Sequence, residues 1–227
     1  MPSRSVMPQR NVPVTNHHKK DRFTAAFLVF VCILSVSGFT ACHKASKQGV
    51  DYSSAQYEWR EGDIVFRCGY GVESKAVTMR TSSDYSHVGL LHYDSLKGEW
   101  QVIHAVPGED EPEYVKSEPL SLFFSPERAG CGAWMRVDCS DTVARQAVQY
   151  ALNKVAQQVV FDNDYLLDDS TQLYCTELIW RAYQTQGIDV TGGQIQSVPT
   201  LFSREGRAIF PSDIEQSETT LFMNHLK

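Results

Sequence analysis

Two strand-like segments joined by a short connection constrain the fold of this chain more than any other feature. The segments "SHVGLLHYD" (86–94) and "EWQVIHAV" (99–106) flank "SLKG", in which Gly98 suits the positive φ of a hairpin turn. If Tyr93 pairs with Trp100, strand alternation places residues 87, 89, 91 and 93 on one face with 100, 102, 104 and 106. The sequence therefore predicts that His87 and His104 share a face, with Gly89 opposite His104 leaving room.

Further strands and one long loop are predicted around this hairpin. The segments "GDIVFR" (62–67) and "CGAWMRVD" (131–138) have the β-branched and aromatic content of strands. Residues 107–119, "PGEDEPEYVKSEP", are acidic and contain proline, which favours a loop, and irregular structure is expected after residue 190.

Two helices follow the strands. Ser140 is a plausible N-cap for the segment after it, whose apolar stripe at helical spacing comprises Val143, Ala144, Ala147, Val148, Ala151, Leu152, Val155 and Val159. A second helix is predicted over "YCTELIWRAYQTQ", ended by Gly187, with Cys175 at the start of its buried side. Strands followed by helices predict an α+β fold with a small antiparallel sheet or barrel packed against helices.

Residues 1–41 have the pattern of a targeting segment. Basic residues precede the uncharged apolar stretch 23–41, and Thr40 and Ala41 precede Cys42. Three readings remain open: a lipoprotein signal with lipidation at Cys42, an uncleaved membrane anchor, or secretion with cleavage near Ser37. Each predicts a bacterial cell-envelope location outside the cytoplasm, with contact to the membrane through a lipid or anchor in the first two.

The remaining chain divides into a tether and one domain. Residues 42–57 are polar, which favours a tether, and residues 58–227 form the predicted domain. The chain has 21 Lys and Arg against 27 Asp and Glu residues, and residues 1–41 contain five of these basic residues and one acid. The rest therefore carries 16 basic and 26 acidic residues, which argues against nucleic acid as a partner.

Cys175 is placed where a cysteine could act as a nucleophile. Unpaired N–H groups and the helix dipole at a helix N-terminus favour a thiolate and could stabilise an oxyanion. Such a nucleophile needs a base, commonly histidine. Because the other histidines lie in the leader, the tether, the C-terminus or on the opposite strand face, His87 is the candidate base, and His104 could orient its imidazole.

Other interpretations of the same residues stay open. Cys175 could be a small core residue, and a histidine in an alternating strand is often structural. Two histidines and a cysteine could also bind zinc, although no close ligand pair is present, so no metal or other cofactor is expected. One disulfide among Cys68, Cys131 and Cys139 is possible, with the pairing undetermined.

Five motifs, taken in order, carry a resemblance to a known family. The segments "GDIVFR", "YSHVGLL" (85–91), "VIHAV" (102–106), "FDNDY" (161–165) and "LYCTELIWRAY" (173–183) resemble the permuted papain-like hydrolases of the YiiX type, relatives of the NlpC cell-wall peptidases. The base precedes the nucleophile here, whereas ordinary papain-like enzymes have the reverse order. The resemblance implies a circularly permuted papain-like, NlpC-like fold over about 60–220.

The resemblance also implies site residues and a reaction. Cys175 matches the family nucleophile, His87 the base and His104 the third polar position, where relatives often have glutamate; Tyr165 matches a tyrosine that could bind a substrate oxygen. The implied reaction is hydrolysis of an amide bond, in a peptide or peptidoglycan fragment, through an acyl-enzyme. A lipid or other acylated small-molecule substrate, and a non-catalytic binding module, are the alternatives.

Overall fold

A computed structural model describes residues 49–53, 57–107 and 114–226 of the chain, with the backbone alone at residues 222–224. The expected leader over 1–41, the lipidation site at Cys42 and most of the tether over 42–57 lie outside these residues. No helix within the described ranges is long and apolar enough to cross a membrane.

The described residues form ten strands and five helices. The strands are β1 (Ile64–Arg67), β2 (His87–Asp94), β3 (Glu99–Ala105), β4 (Val115–Pro119), β5 (Gly132–Val137), β6 (Val160–Phe161), β7 (Gln172–Leu173), β8 (Gln196–Ser197), β9 (Arg207–Ala208) and β10 (Thr220–Leu226). The helices are α1 (Val72–Arg80), α2 (Leu120–Phe123), α3 (Asp141–Ala156), α4 (Cys175–Gln184) and α5 (Pro211–Glu215).

An antiparallel sheet of six strands, in the order β10-β5-β1-β2-β3-β4, is the scaffold of the fold. The predicted hairpin is confirmed, because Tyr93 pairs with Trp100 and Gly98 has a φ of 71°. A disulfide joins Cys68, just after β1, to Cys131, just before the neighbouring β5. Cys139 and Cys175 are free thiols.

Helices α3 and α4 pack against one face of this sheet. Their buried residues, which include Ala147, Ala151, Leu178 and Ile179, form one cluster with Ile64, Phe66, Val88 and Leu90 of the strands. Burying each such Leu or Ile side chain contributes about 1.5–3 kcal/mol. The α+β fold with an antiparallel sheet against helices is therefore as the sequence predicts.

Both predicted helices form, with ends set by local chemistry. The Ser140 side chain accepts a hydrogen bond from the Val143 N–H and so caps α3, whose buried residues belong to the predicted stripe. Helix α4 begins at Cys175, after Tyr174 in an extended conformation, and Gly187 beyond its end has a φ of 80°. The nucleophile candidate is thus the first residue of its helix.

The assignment of residues 107–119 to a loop is wrong for its second half. Residues 115–119 form β4, which pairs with β3 so that His104 lies opposite Lys116. This strand lacks apolar alternation because it buries a charged residue, Glu118, beside another polar group. Helix α1 and strand β10 were also not expected; no residue of α1 is buried, so it has no apolar stripe to detect.

Candidate active site

The sulfur of Cys175 lies at the start of α4, in contact with backbone N–H groups. The N–H groups of Val88, Cys175 and Thr176 face Sγ and favour the thiolate. Burial opposes them and prevails, because it raises the pKa of Cys175 to about 11. The helix N-terminus therefore acts as the sequence suggests, but its effect is outweighed and the resting site holds a neutral thiol.

His87 and His104 form a direct contact within the sheet. The Nε2 atom of His87 lies 2.7 Å from Nδ1 of His104, and both side chains are buried. Gly89 makes this possible, since a Cβ at that position would lie 3.3 Å from the Cβ of His104 and would overlap Val102. Burial lowers the pKa of His104 to about 4 and that of His87 well below 6.5, so both rings are neutral.

Glu118 of β4 extends this pair, and the sequence interpretation missed it. Its Oε1 lies 3.1 Å from Nε2 of His104. Nη1 of Arg128 donates to both carboxylate oxygens, at 3.1 Å to Oε1 and 2.9 Å to Oε2, and Lys116 approaches Oε2 at 3.4 Å. Burial alone would raise the pKa of Glu118, but the contacts with His104, Lys116 and Arg128 lower it to about 2. Glu118 could have been found from the sequence only by recognising β4 as a strand that pairs with β3, since this pairing brings Glu118 beside His104.

Helix α4 packs on the face of the sheet opposite to the histidine pair. Val88 and Leu90, which alternate with His87, pack with Leu178 and Ile179 of α4. The histidine pair faces the opposite way, with the rings 5.8 and 5.3 Å from that of Phe123 in α2. Cys175 and His87 come together at the end of the sheet, where both line one cleft.

The cleft that holds Cys175 and His87 has a largely apolar lining. Residues from α1, β2 and the segments around 161–176 and 202–211 enclose it. Its lining comprises Arg67, Gly71, Glu73, Ser74, Val77, Ser86, His87, Val106, Pro107, Phe161, Tyr165, Tyr174, Cys175, Thr176, Phe202, Ile209, Phe210 and Pro211. The cleft is therefore suited to a ligand with an apolar part.

Tyr165 is brought to this cleft by a tightly organised loop. Its φ of 52° is unusual for a residue with a side chain, and its ring stacks on that of Phe202 at 4.8 Å. The loop is held in shape because Asp162 accepts the N–H groups of Asp164 and Leu166, at 2.8 and 2.5 Å. Burial raises the pKa of Tyr165, so its hydroxyl stays protonated and able to donate.

A buried pair of hydrogen-bonded side chains ties the same loop to the cysteine helix. Glu177 is fully buried and accepts from Nε of Arg181 at 2.6 Å, and Arg181 also donates to the backbone oxygen of Leu167. Burial raises the pKa of Glu177 to about 8. The motif that contains Cys175 thus also supplies an anchor for the loop that carries Tyr165.

Arg67 is a second cleft residue that the sequence interpretation did not single out. It pairs with His87 across β1 and β2, so the two side chains share a face of the sheet. Its guanidinium lies 4.7 Å from the Phe123 ring and donates to the Phe123 backbone oxygen at 3.2 Å. The hairpin register could have located it, once β1 was aligned with β2.

Within the described ranges, no three His, Cys, Asp or Glu side chains are grouped so that they could hold a metal ion.

A family model, a curated protein and a solved structure are similar to this chain. The family model described as permuted papain-like amidase enzyme, YaeF/YiiX, C92 family, matches residues 58–221. The uncharacterized protein YiiX of Escherichia coli strain K12 is 30% identical over 123 residues, 54% of this chain and 56% of that protein. This alignment spans little more than half of the relative's length.

The third match is structural and concerns the fold alone. A crystal structure described as metalloprotein YiiX of Escherichia coli O157:H7 superposes with a TM-score of 0.59 at 21% identity, over 74% of this chain and 98% of that one. The family model covers more than half of the chain and describes cysteine-type amidases of the papain type. This chain therefore belongs to the permuted papain-like amidase family of the YaeF/YiiX type.

Proposed function

We propose that this chain is an envelope-associated cysteine hydrolase that cleaves an amide bond. Cys175 is the nucleophile, His87 the general base and His104 the residue that orients His87. The proposal rests on one observation: a free thiol at the first residue of α4 shares a cleft with a histidine whose other ring nitrogen is already engaged by His104. Membership of an amidase family supports it.

The protonation states support a general-base mechanism rather than a resting ion pair. Both the thiol of Cys175 and the ring of His87 are neutral, and Nε2 of His87 is engaged by His104. The remaining ring nitrogen, Nδ1, takes the thiol proton as Sγ attacks the substrate carbonyl carbon. The two groups therefore become charged only as the reaction proceeds.

The rest of the reaction follows from the same residues. The N–H of Cys175 is placed to stabilise the oxyanion that forms on attack. As the tetrahedral intermediate collapses, Nδ1 of His87 donates its proton to the leaving amine and the acyl group stays on Sγ. His87 then takes a proton from water, whose oxygen attacks the acyl carbon, and the acid and the free thiol are released.

The substrate class is proposed from the cleft and the expected location. A peptide amide, as in a peptidoglycan fragment, is consistent with the amidase family and with an envelope location. The apolar wall formed by Ile209, Phe210 and Phe202 favours a second candidate, an N-acyl or lipid ester substrate whose acyl chain lies against it.

The location outside the cytoplasm is part of the proposal. The apolar stretch 23–41 followed by Cys42 supports a membrane-attached form, with a lipid or an uncleaved anchor. The disulfide between Cys68 and Cys131 supports an oxidising compartment.

Mass spectrometry with defined substrates tests this function. The full-length chain is incubated with muropeptides and, separately, with N-acylated lipids, and both the products and the mass of the Cys175 peptide are measured. We expect amide cleavage and a transient acyl group on Cys175, both lost in Cys175→Ala and both kept in Cys139→Ala, which removes a free thiol outside the cleft. Full turnover by Cys175→Ala would refute the proposal.

A further inference from the structure

We infer that Glu118 is a positioning residue that acts through His104 to hold His87 in the tautomer with an unprotonated Nδ1. The inference goes beyond the Cys–His–His site, because Glu118 lies behind His104 as seen from the cleft. Its effect on catalysis rests on the proposed function, whereas its effect on the histidine tautomers does not.

The contact between the two histidines admits a single hydrogen. Nε2 of His87 and Nδ1 of His104 are 2.7 Å apart, so one of them donates and the other accepts. Each neutral imidazole carries one N–H, and burial keeps both rings neutral. Fixing the proton on either ring therefore fixes it on the other.

Glu118 decides between the two arrangements. Its carboxylate accepts hydrogen bonds and cannot donate while ionised, and Arg128 and Lys116 beside it keep it ionised. Oε1 lies 3.1 Å from Nε2 of His104, in a geometry that falls short of a regular hydrogen bond, and the negative carboxylate favours a proton on that nitrogen. The opposite tautomer would leave a nitrogen lone pair 3.1 Å from a carboxylate oxygen in a buried site, which is unfavourable.

The consequence passes along the contacts to the cleft. With its proton on Nε2, His104 has a free lone pair on Nδ1 and accepts from Nε2 of His87. The neutral His87 ring then has its lone pair on Nδ1, the nitrogen that must receive a proton from Cys175. The positive charges of Arg67, Lys116 and Arg128 lie near His87 and further disfavour its protonated, imidazolium form at rest.

Nitrogen NMR of the imidazole rings measures this arrangement directly. The full-length chain, labelled with ¹⁵N-histidine, is recorded with long-range ¹H–¹⁵N correlation, and His87→Gln and His104→Gln proteins assign the signals. We expect a protonated Nε2 and an unprotonated Nδ1 on both rings. A protonated Nδ1 on His87 of the unaltered protein would overturn the inference without any Glu118 variant.

Replacing Glu118 should reverse the tautomers. In Glu118→Gln the side-chain oxygen turns to Arg128 and Lys116, so its N–H faces Nε2 of His104 and drives the proton to Nδ1. His87 should then carry its proton on Nδ1. The matched control is Glu61→Gln, which alters a histidine–carboxylate contact of 3.0 Å at His92 of the same strand and should leave His87 unchanged. An unchanged His87 tautomer in folded Glu118→Gln protein would contradict the inference.

Steady-state kinetics with an amide substrate that the protein cleaves provide a second test of the inference. Glu118→Gln should lower kcat roughly 10²–10⁴-fold, the range of general-base catalysis, with little change in KM. Glu118→Asp, which keeps an acceptor, should recover a large part of the rate. Reversed tautomers in a protein that cleaves no amide would refute the proposed function alone, whereas a reduced rate with unchanged tautomers would refute this inference alone.

Discussion

The Nε2 atom of His87 lies 2.7 Å from Nδ1 of His104, across two neighbouring antiparallel strands. This contact engages one ring nitrogen of His87, and the proposed function assigns the other nitrogen to act as base on Cys175, which lines the same cleft. The pair exists because Gly89 provides no side chain at the position opposite His104. Local strand geometry thus determines which nitrogen of His87 is engaged by His104.

Replacing His104 tests the value of that contact. His104→Leu removes the acceptor for Nε2–H of His87, so we expect kcat to fall about 10²-fold or more with KM little altered. His104→Gln keeps a side-chain oxygen that can accept the same hydrogen and should lose less activity. Steady-state kinetics on the two variants checks the order; equal losses would show that the hydrogen bond is unimportant.

The value of kcat/KM should persist to unusually low pH before it falls. Neutral His87 is the active form, and burial lowers its pKa well below 6.5, so protonation and loss of kcat/KM begin only below that value. A pH profile of kcat/KM measures this, and a half-maximum at or above pH 6.5 would contradict it.

Melting temperatures over the same pH range provide the control for that profile. The folded-state pKa of His104 is lowered to about 4 from 6.5, so the unfolded chain binds protons first. Stability should therefore fall as the pH decreases from 6.5 toward about 4. Activity is compared only where the protein remains folded.

Alkylation of Cys175 should be slow at neutral pH and accelerate steeply in base. Burial raises the pKa of this thiol to about 11, so its thiolate fraction grows about tenfold per pH unit between pH 7 and 10. Iodoacetamide rates, located by mass spectrometry, measure this, with the denatured chain as control because its thiols ionise near pH 8.5. A plateau in the native rate below pH 8 would indicate a resting thiolate instead.

Removing the disulfide should destabilise the fold without touching the site. Cys68 and Cys131 are separated by 63 residues, for which loop-closure entropy predicts a loss of about 4 kcal/mol in the free energy of unfolding. Denaturant unfolding of the Cys68→Ala/Cys131→Ala protein measures it. Cys139→Ala, which removes a free thiol, is the control and should cost about 1 kcal/mol or less. A double variant as stable as the control would contradict the prediction.

Much of the fold and the nucleophile's position could be predicted from sequence, because local periodicity encodes them. The hairpin register followed from alternation and Gly98, and it brought His87 and His104 together. The apolar stripe and Ser140 defined α3, and Cys175 was correctly placed at the N-terminal end of its helix. Each of these depends on residues close together in the chain, where spacing alone determines the shared face.

Only the tertiary structure decided the electrostatics of the site. Glu118 is far from Cys175 in sequence and lies on a strand whose polar residues resemble a loop, so pairing of β4 with β3 was needed to place it at His104. Likewise the neutral thiol of Cys175 reflects burial, which depends on how α4 meets the end of the sheet. Sequence supplies the ionisable groups, but desolvation and distance set their protonation, and both arise from packing.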